Sequence, residues 1–300
     1  MGRPARTRAC RPAVALPRRE RRMKVDAHQH FWRLADRAGA WPPAELHAIH
    51  RDFGPQDLAP LLRENGIDAT VLVQSLPTAQ DTAFLLETAR NTDFVRGVVG
   101  WADLKAADAV HTIEALAGDP LLKGLRPMLQ DLPEDDWIAD PALAPAAGAM
   151  ARHGLVFDAL VMPRHLAALH AFAAAHPTLA IVVDHAAKPS IARGTLEPWH
   201  TDMARLAALP HVHCKLSGLL TEAAAGAGRV ALQPFVQAVW TLFGPHRLLW
   251  GSDWPVLRLA SDYTAWRAMA EALIDAVDPA PSDADRAALF GGNAAALYRL

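Results

Sequence analysis

Residues 25–32 read VDAHQHFW, an apolar start that ends in two histidines one residue apart, His28 and His30. Side chains at i and i+2 of a strand point to the same face, so the two imidazoles would project together from the end of the segment. An open, doubly wound sheet requires a glycine-rich phosphate turn after its first strand. This chain has HQH there instead. By spacing alone the pair fits metal ligands, a polar wall for an organic substrate, or two ordinary hydrogen-bonded histidines. What the other segments bring to the same end decides between them.

Outward from this stretch, short apolar β-type runs alternate with longer Ala/Leu-rich segments. The runs fall at 23–28, 69–75, 95–102, 123–129, 154–161, 179–185, 211–217 and 247–253. Most are continuously apolar, as expected of parallel strands covered on their outer face. Between them, residues 81–91, 164–176, 231–243 and 263–277 place apolar side chains at helical spacing. Eight strands with crossover helices predict an α/β chain folded as one (β/α)8 TIM barrel over 23–300. No composition shift or long linker splits that range.

Residues 1–22 stand apart. They hold Arg3, Arg6, Arg8, Arg11, Arg18, Arg19, Arg21 and Arg22 against the single acid Glu20, and are broken by Pro4, Pro12 and Pro17. This composition reads as a disordered extension, or as sequence upstream of a working start at Met23; a nucleic-acid arm is the alternative. With a formal net charge of −2 the whole chain has no general nucleic-acid character. Its two cysteines, Cys10 and Cys214, form no disulfide framework and suit a reducing, cytoplasmic setting. No run is long and apolar enough to span a bilayer.

In such a barrel, reactive groups belong at strand C-terminal ends. The first strand brings His28 and His30 there, the fourth Arg126, the fifth Asp158, the sixth His185 with Lys188 close behind, and the eighth Asp253. On the seventh, Lys215 and Ser217 share a face with His213, and a buried lysine there needs a partner. Trp32, Trp101 and Trp254 follow or end strands and offer flat walls for a ring, or ordinary packing. Asp184 reads equally as a turn residue. One lone strand histidine is more often a core residue than a ligand. Convergence of His28, His30, His185 and Asp253 from three strands outweighs that reading. These four can ligate one divalent metal, or without metal polarise a carbonyl and activate water.

The motifs VDAHQHFW, GLRPMLQ, FDALVMPRHL, VVDHAAKP, CKLSGL and WGSDWPV, with the closing LFGGNAAALY, resemble the amidohydrolase superfamily. Within it they are most similar to the amidohydrolase-related branch of L-fuconolactonase, L-rhamnonolactonase and pyrone-dicarboxylate lactonase. The resemblance covers nearly all of 23–300. It implies a hydrolase that opens the lactone ring of a sugar acid, with Asp253 as general base, His28, His30 and His185 around it, and Arg126 on the substrate. Binuclear members carry a Lys or Glu after strand four and a His after strand five. Arg126 and Asp158 stand there instead, which argues against a two-metal centre and leaves one zinc-like ion or none. The expected partner is a small-molecule lactone, with homo-oligomerisation left open. The alternative on the same barrel is a metal-dependent decarboxylase of an aromatic or muconate-type acid.

Overall fold

The computed structural model describes residues 23–37 and 39–300; the extension 1–22 lies outside the described residues. Eight parallel strands follow one another in chain order around a nearly closed barrel. They are β1 (Val25–Gln29), β2 (Ala69–Val73), β3 (Val95–Gly100), β4 (Leu122–Leu125), β5 (Val156–Ala159), β6 (Ile181–Val183), β7 (Val212–Leu216) and β8 (Leu248–Trp250). The helices α1 (Pro55–Asn65), α2 (Ala79–Arg90), α3 (Ala109–Ala117), α4 (Ala144–His153), α5 (Leu166–Ala175), α6 (Trp199–Ala207), α7 (Arg229–Phe243) and α8 (Tyr263–Asp275) follow the strands in turn. This is the (β/α)8 architecture, and the periodicity of the sequence located each of its strands.

Two apolar layers hold it together. The larger lies between strands and helices, where Leu72, Val98, Leu125, Phe157, Ile181, Val183, Cys214 and Trp250 meet the inner faces of the helices. The smaller fills the barrel interior with Val25, Ala27, Val71, Val99, Val156, Val182 and Leu249. A short C-terminal helix, Asn293–Tyr298, adds Ala294 and Tyr298 to this inner layer. It plugs the strand-start end, where a Cβ on Gly291 would meet the backbone oxygen of Met23 at 2.0 Å. With that end closed, the strand C-terminal ends are left as the open mouth.

The closure of the barrel positions the site. β8 meets β1 through a parallel bridge between Gln29 and Trp254. The His30 amide donates to the Trp254 carbonyl (2.7 Å), and the Asp253 amide donates to the His28 carbonyl (2.8 Å). These two bonds set Asp253 beside the histidine pair, although Asp253 lies beyond the end of its strand. The sequence runs predicted longer sixth and eighth strands; β6 ends at Val183 and β8 at Trp250. After both, the backbone enters the left-handed region. His185, Ala186, Ala187 and Lys188 have φ between 50° and 59°, and Asp253 has φ 59°. Non-glycine residues pay for that conformation, and here it aims His185, Lys188 and Asp253 at one cavity.

Candidate active site

A cavity of about 460 Å³ opens at the barrel mouth, lined at its base by His30, Arg126, His185 and Asp253 and higher up by Trp41, Ser75, Gln130, Asp131, Lys188 and Glu222, among others. A larger hollow, about 820 Å³, lies at the strand-start side against α8 and is lined by Met23, Lys24, Arg267 and acidic side chains. Among the described residues no imidazole lines it, and it is far from the strand C-terminal ends where barrel chemistry is placed. The smaller cavity is therefore the candidate site.

At its base, Asp253 Oδ1 lies 3.3 Å from His30 Nε2, 3.7 Å from His28 Nε2 and 3.9 Å from His185 Nε2. The Nε2 atoms of His28 and His30 are 3.2 Å apart. Each ring is held from behind. His30 Nδ1 donates to the Val73 carbonyl at 2.7 Å, and His185 Nδ1 sits 2.8 Å from the Ser217 hydroxyl. His28 Nδ1 lies between Lys215 Nζ (3.2 Å) and Asp184 Oδ1 (3.4 Å). Burial keeps His28 and His185 neutral, lowering His28 well below its usual range and His185 to about 4. Burial opposes ionisation of Asp253, but the surrounding imidazoles outweigh it and hold the carboxyl below the usual carboxylate range. The base of the site thus presents an ionised carboxylate among ring nitrogens.

Those donors suit a divalent cation. The ligating atoms of His28, His185 and Asp253 all lie within 4.8 Å of one another. Ligand-to-ligand separations in a tetrahedral zinc site are about 3.3 Å, close to the 3.2–3.7 Å found among Asp253 Oδ1 and the Nε2 atoms of His28 and His30. When His28 donates Nδ1–H to Asp184, its Nε2 lone pair turns inward, as His30 Nε2 already does. When His28 accepts from Lys215, Nε2–H points inward and becomes a donor. The second partner of this imidazole therefore sets whether it serves as ligand or hydrogen-bond donor.

A second charged layer lies beneath the cavity. Lys215 Nζ sits 2.5 Å from Asp158 and 3.0 Å from Asp184, all three side chains fully buried. Tyr298 reaches up from the C-terminal helix to donate to Asp158, with oxygens 2.8 and 3.0 Å away. Arg126 donates to Asp184 (3.2 Å) and to the Gln74 carbonyl, while its buried Nε has no partner among the described residues. Burial raises Asp158 to about 6 even with the Lys215 ammonium beside it. Burial works against Asp184 too, but Lys215, His28 and Arg126 together hold it well below the usual range.

Sequence expectations meet this geometry unevenly. The structure brings His28, His30, His185, Asp253, Arg126 and Lys188 together at the cavity. Lys215, Ser217 and Asp158, expected to touch substrate, lie buried beneath it: Lys215 and Ser217 contact His28 and His185, and Asp158 holds Lys215. Trp32 and Trp254 are not cavity walls: both are buried against Phe53, and Trp32 donates to the Arg51 carbonyl. Trp101 lines a separate hollow with Ala79 and Thr112. The aromatic wall is Trp41, in the loop after β1. Asp184, equally readable as a turn residue, is the centre of the buried charge network. Glycine is needed at Gly218, whose φ is 62° and where a Cβ would come within 2.6 Å of His185 Nδ1.

Asp26, which lies within VDAHQHFW but carries no role in the sequence reading, ties the site together. Its Oδ1 accepts from the amides of Ser252 (2.8 Å) and His28 (3.1 Å), and its Oδ2 from Tyr263 (2.9 Å). Burial raises it to about 6, against the lowering effect of those hydrogen bonds. A carboxyl whose folded pKa lies above its unfolded value binds protons on folding. Its contribution therefore declines as pH rises from about 4 to about 6, by about 3 kcal/mol in all. Asp26→Asn keeps the shape and removes the titration. Its stability relative to the natural protein should improve by that amount between pH 4 and pH 7, read from paired denaturant melts. A pH-independent difference would show that Asp26 is ionised at no cost.

The model of the family described as Amidohydrolase matches residues 25–300. The chain belongs to the amidohydrolase family. It is 58% identical over 281 residues to an L-fucono-1,5-lactonase of Burkholderia ambifaria, covering 92% of this chain and 96% of that protein. It is 37% identical over 291 residues to an L-fucono-1,5-lactonase of Burkholderia multivorans, covering 93% and 96%. A crystal structure of an amidohydrolase from Burkholderia multivorans with bound zinc superposes with a TM-score of 0.86 at 36% identity, covering 93% of this chain and 99% of the other.

Proposed function

We propose that this amidohydrolase opens the ring of a sugar-acid lactone of the L-fucono-1,5-lactone type, and that His28, His30, His185, Asp253 and Arg126 carry the reaction. The arrangement that supports this most directly is an ionised Asp253 facing three imidazoles at the base of a cavity that fits one sugar ring. The 58% identical lactonase agrees with it.

The carboxylate of Asp253 takes a proton from water, whose oxygen bonds to the lactone carbonyl carbon. Negative charge then builds on the carbonyl oxygen, where donors already in place are worth most. Arg126, whose side chain lines the cavity, supplies one, and His28 in the tautomer fed by Lys215 supplies another. As the bond from the carbonyl carbon to the ring oxygen breaks, Asp253 returns its proton to that oxygen. The product is an open-chain hydroxy acid, which ionises and acidifies the solution.

One zinc-like ion would be held by His28, His185 and Asp253, with His30 adjacent. Such an ion supplies Lewis acidity toward the carbonyl and lowers the pKa of water. A second ion has no place beside it, because the Arg126 guanidinium and the Lys215 ammonium occupy the neighbouring positions and repel cations. No described helix is long and apolar enough to cross a membrane, in keeping with a cytoplasmic enzyme of a small-molecule substrate.

In weakly buffered solution containing a pH indicator, the purified protein should acidify L-fucono-1,5-lactone far faster than spontaneous opening. Release of carbon dioxide from aromatic acids, with no lactone opening, would replace this reading with the decarboxylase alternative.

A further inference from the structure

The upper wall of the cavity has a feature that lactone opening does not require. Lys188 Nζ lies 3.1 Å from Glu222 Oε1, and both side chains are partly exposed to the cavity, at 21% and 24%. Lys188 is brought there by the left-handed turn that also carries His185. Glu222 comes from the loop after β7, in the short turn Leu220–Glu222. The other cation on the wall, Arg126, is compensated by Asp184 from below. Asp131 and Asp253 add further negative charge to the lining. Among the described residues, no cation on the cavity wall is left uncompensated to receive a carboxylate.

We propose that the Lys188–Glu222 pair makes the site selective for neutral, hydroxyl-bearing lactones and rejects lactones that carry a carboxylate, with Glu222 the residue that sets this preference. The ammonium keeps two N–H groups beyond the one directed at Glu222, and Glu222 Oε2 is not engaged by the pair. Donor and acceptor side by side match two adjacent ring hydroxyls, each of which can donate and accept. A carboxylate in that position gains Lys188 but meets Glu222 at close range, in a partly desolvated wall where like charges repel strongly. Glu222 thereby spends the cation that would otherwise bind an acidic sugar lactone.

This inference rests on the lactonase reading, and its test separates the two. The kcat/KM of the natural protein and of Glu222→Gln is measured on L-fucono-1,5-lactone and on an aldaric acid monolactone, which retains one free carboxylate. The natural protein should prefer the neutral lactone. In Glu222→Gln the ratio of neutral to acidic kcat/KM should fall at least about tenfold, with an absolute gain on the acidic lactone. Glu222→Asp, which keeps the charge, should retain the preference, and Lys188→Met should lose neutral turnover without gaining acidic turnover. Turnover of the neutral lactone with an unchanged ratio in Glu222→Gln overturns the assignment of Glu222. Turnover of neither lactone by the natural protein overturns the lactonase reading and this inference with it.

Discussion

Asp253→Asn is expected to lower kcat on the lactone by about a thousandfold or more while leaving the melting temperature close to that of the natural protein. The substitution keeps the outline of the side chain, and the backbone there is fixed independently of it. The Asp253 amide donates to the His28 carbonyl, and its carbonyl accepts from Leu257. What changes is the oxygen that lies 3.3 Å from His30 Nε2 and within 4 Å of the other two imidazoles. An amide can neither accept the proton of the attacking water nor serve as an anionic ligand. General-base removal alone is worth roughly 10²–10⁴ in rate, and losing a ligand to any resident cation adds to it. Stability should change little, because the burial penalty on the carboxylate and its attraction to the surrounding rings are removed together. Initial rates by indicator, beside circular-dichroism melts, check both halves. If the folded variant keeps a tenth of the natural rate, Asp253 is not the proton acceptor.

How much of this was legible in the sequence depends on whether the cue is local. His28 and His30 are a local cue: their i, i+2 spacing places them together, although β1 stops at Gln29 and the bond from the His30 amide to Trp254 fixes the second of them. Asp253 was correctly placed at the rim by its position after an apolar run, but for an incomplete reason. Strand alternation does not reach it, since β8 stops at Trp250; the bridge from Trp254 to Gln29 across the barrel seam sets its position. Asp184 shows the limit. Locally it is an aspartate at a strand end, no different from a turn residue. Its partners Lys215, Arg126 and His28 come from three other strands and become visible only when the barrel closes. The tryptophans failed for a related reason. An indole after a strand can face the cavity or the aromatic layer under the loops, and Phe31 and Phe53 draw Trp254 and Trp32 into that layer. Trp41 and Glu222 lie in loops, where no periodicity indicates direction.

The largest effect on stability is expected at Lys215, which lies outside the cavity. Lys215→Met should cost about 3–5 kcal/mol, the usual consequence of removing one partner from a buried ion cluster. In a chain of this size that lowers the melting temperature by roughly 10 °C. The loss is not of one salt bridge. The ammonium lies 2.5 Å from Asp158, 3.0 Å from Asp184 and 3.2 Å from His28 Nδ1, with no solvent to replace it. Asp184 would keep Arg126, but Asp158 would keep only the Tyr298 hydroxyl. Asp158 is already raised to about 6 by burial. Without the cation it should rise further and fold neutral, so the defect should be smaller at pH 5 than at pH 8. Removing the stranded charge as well, in Lys215→Met with Asp158→Asn, should recover much of the lost stability. A double variant no more stable than the single one would mean that the charge on Asp158 is not what the lysine compensates. Activity supplies an independent reading. Because Lys215 touches His28 and not the cavity, the recovered double variant should still be slow in kcat with a nearly unchanged KM: its His28 ring has lost the donor that sets the tautomer facing the substrate.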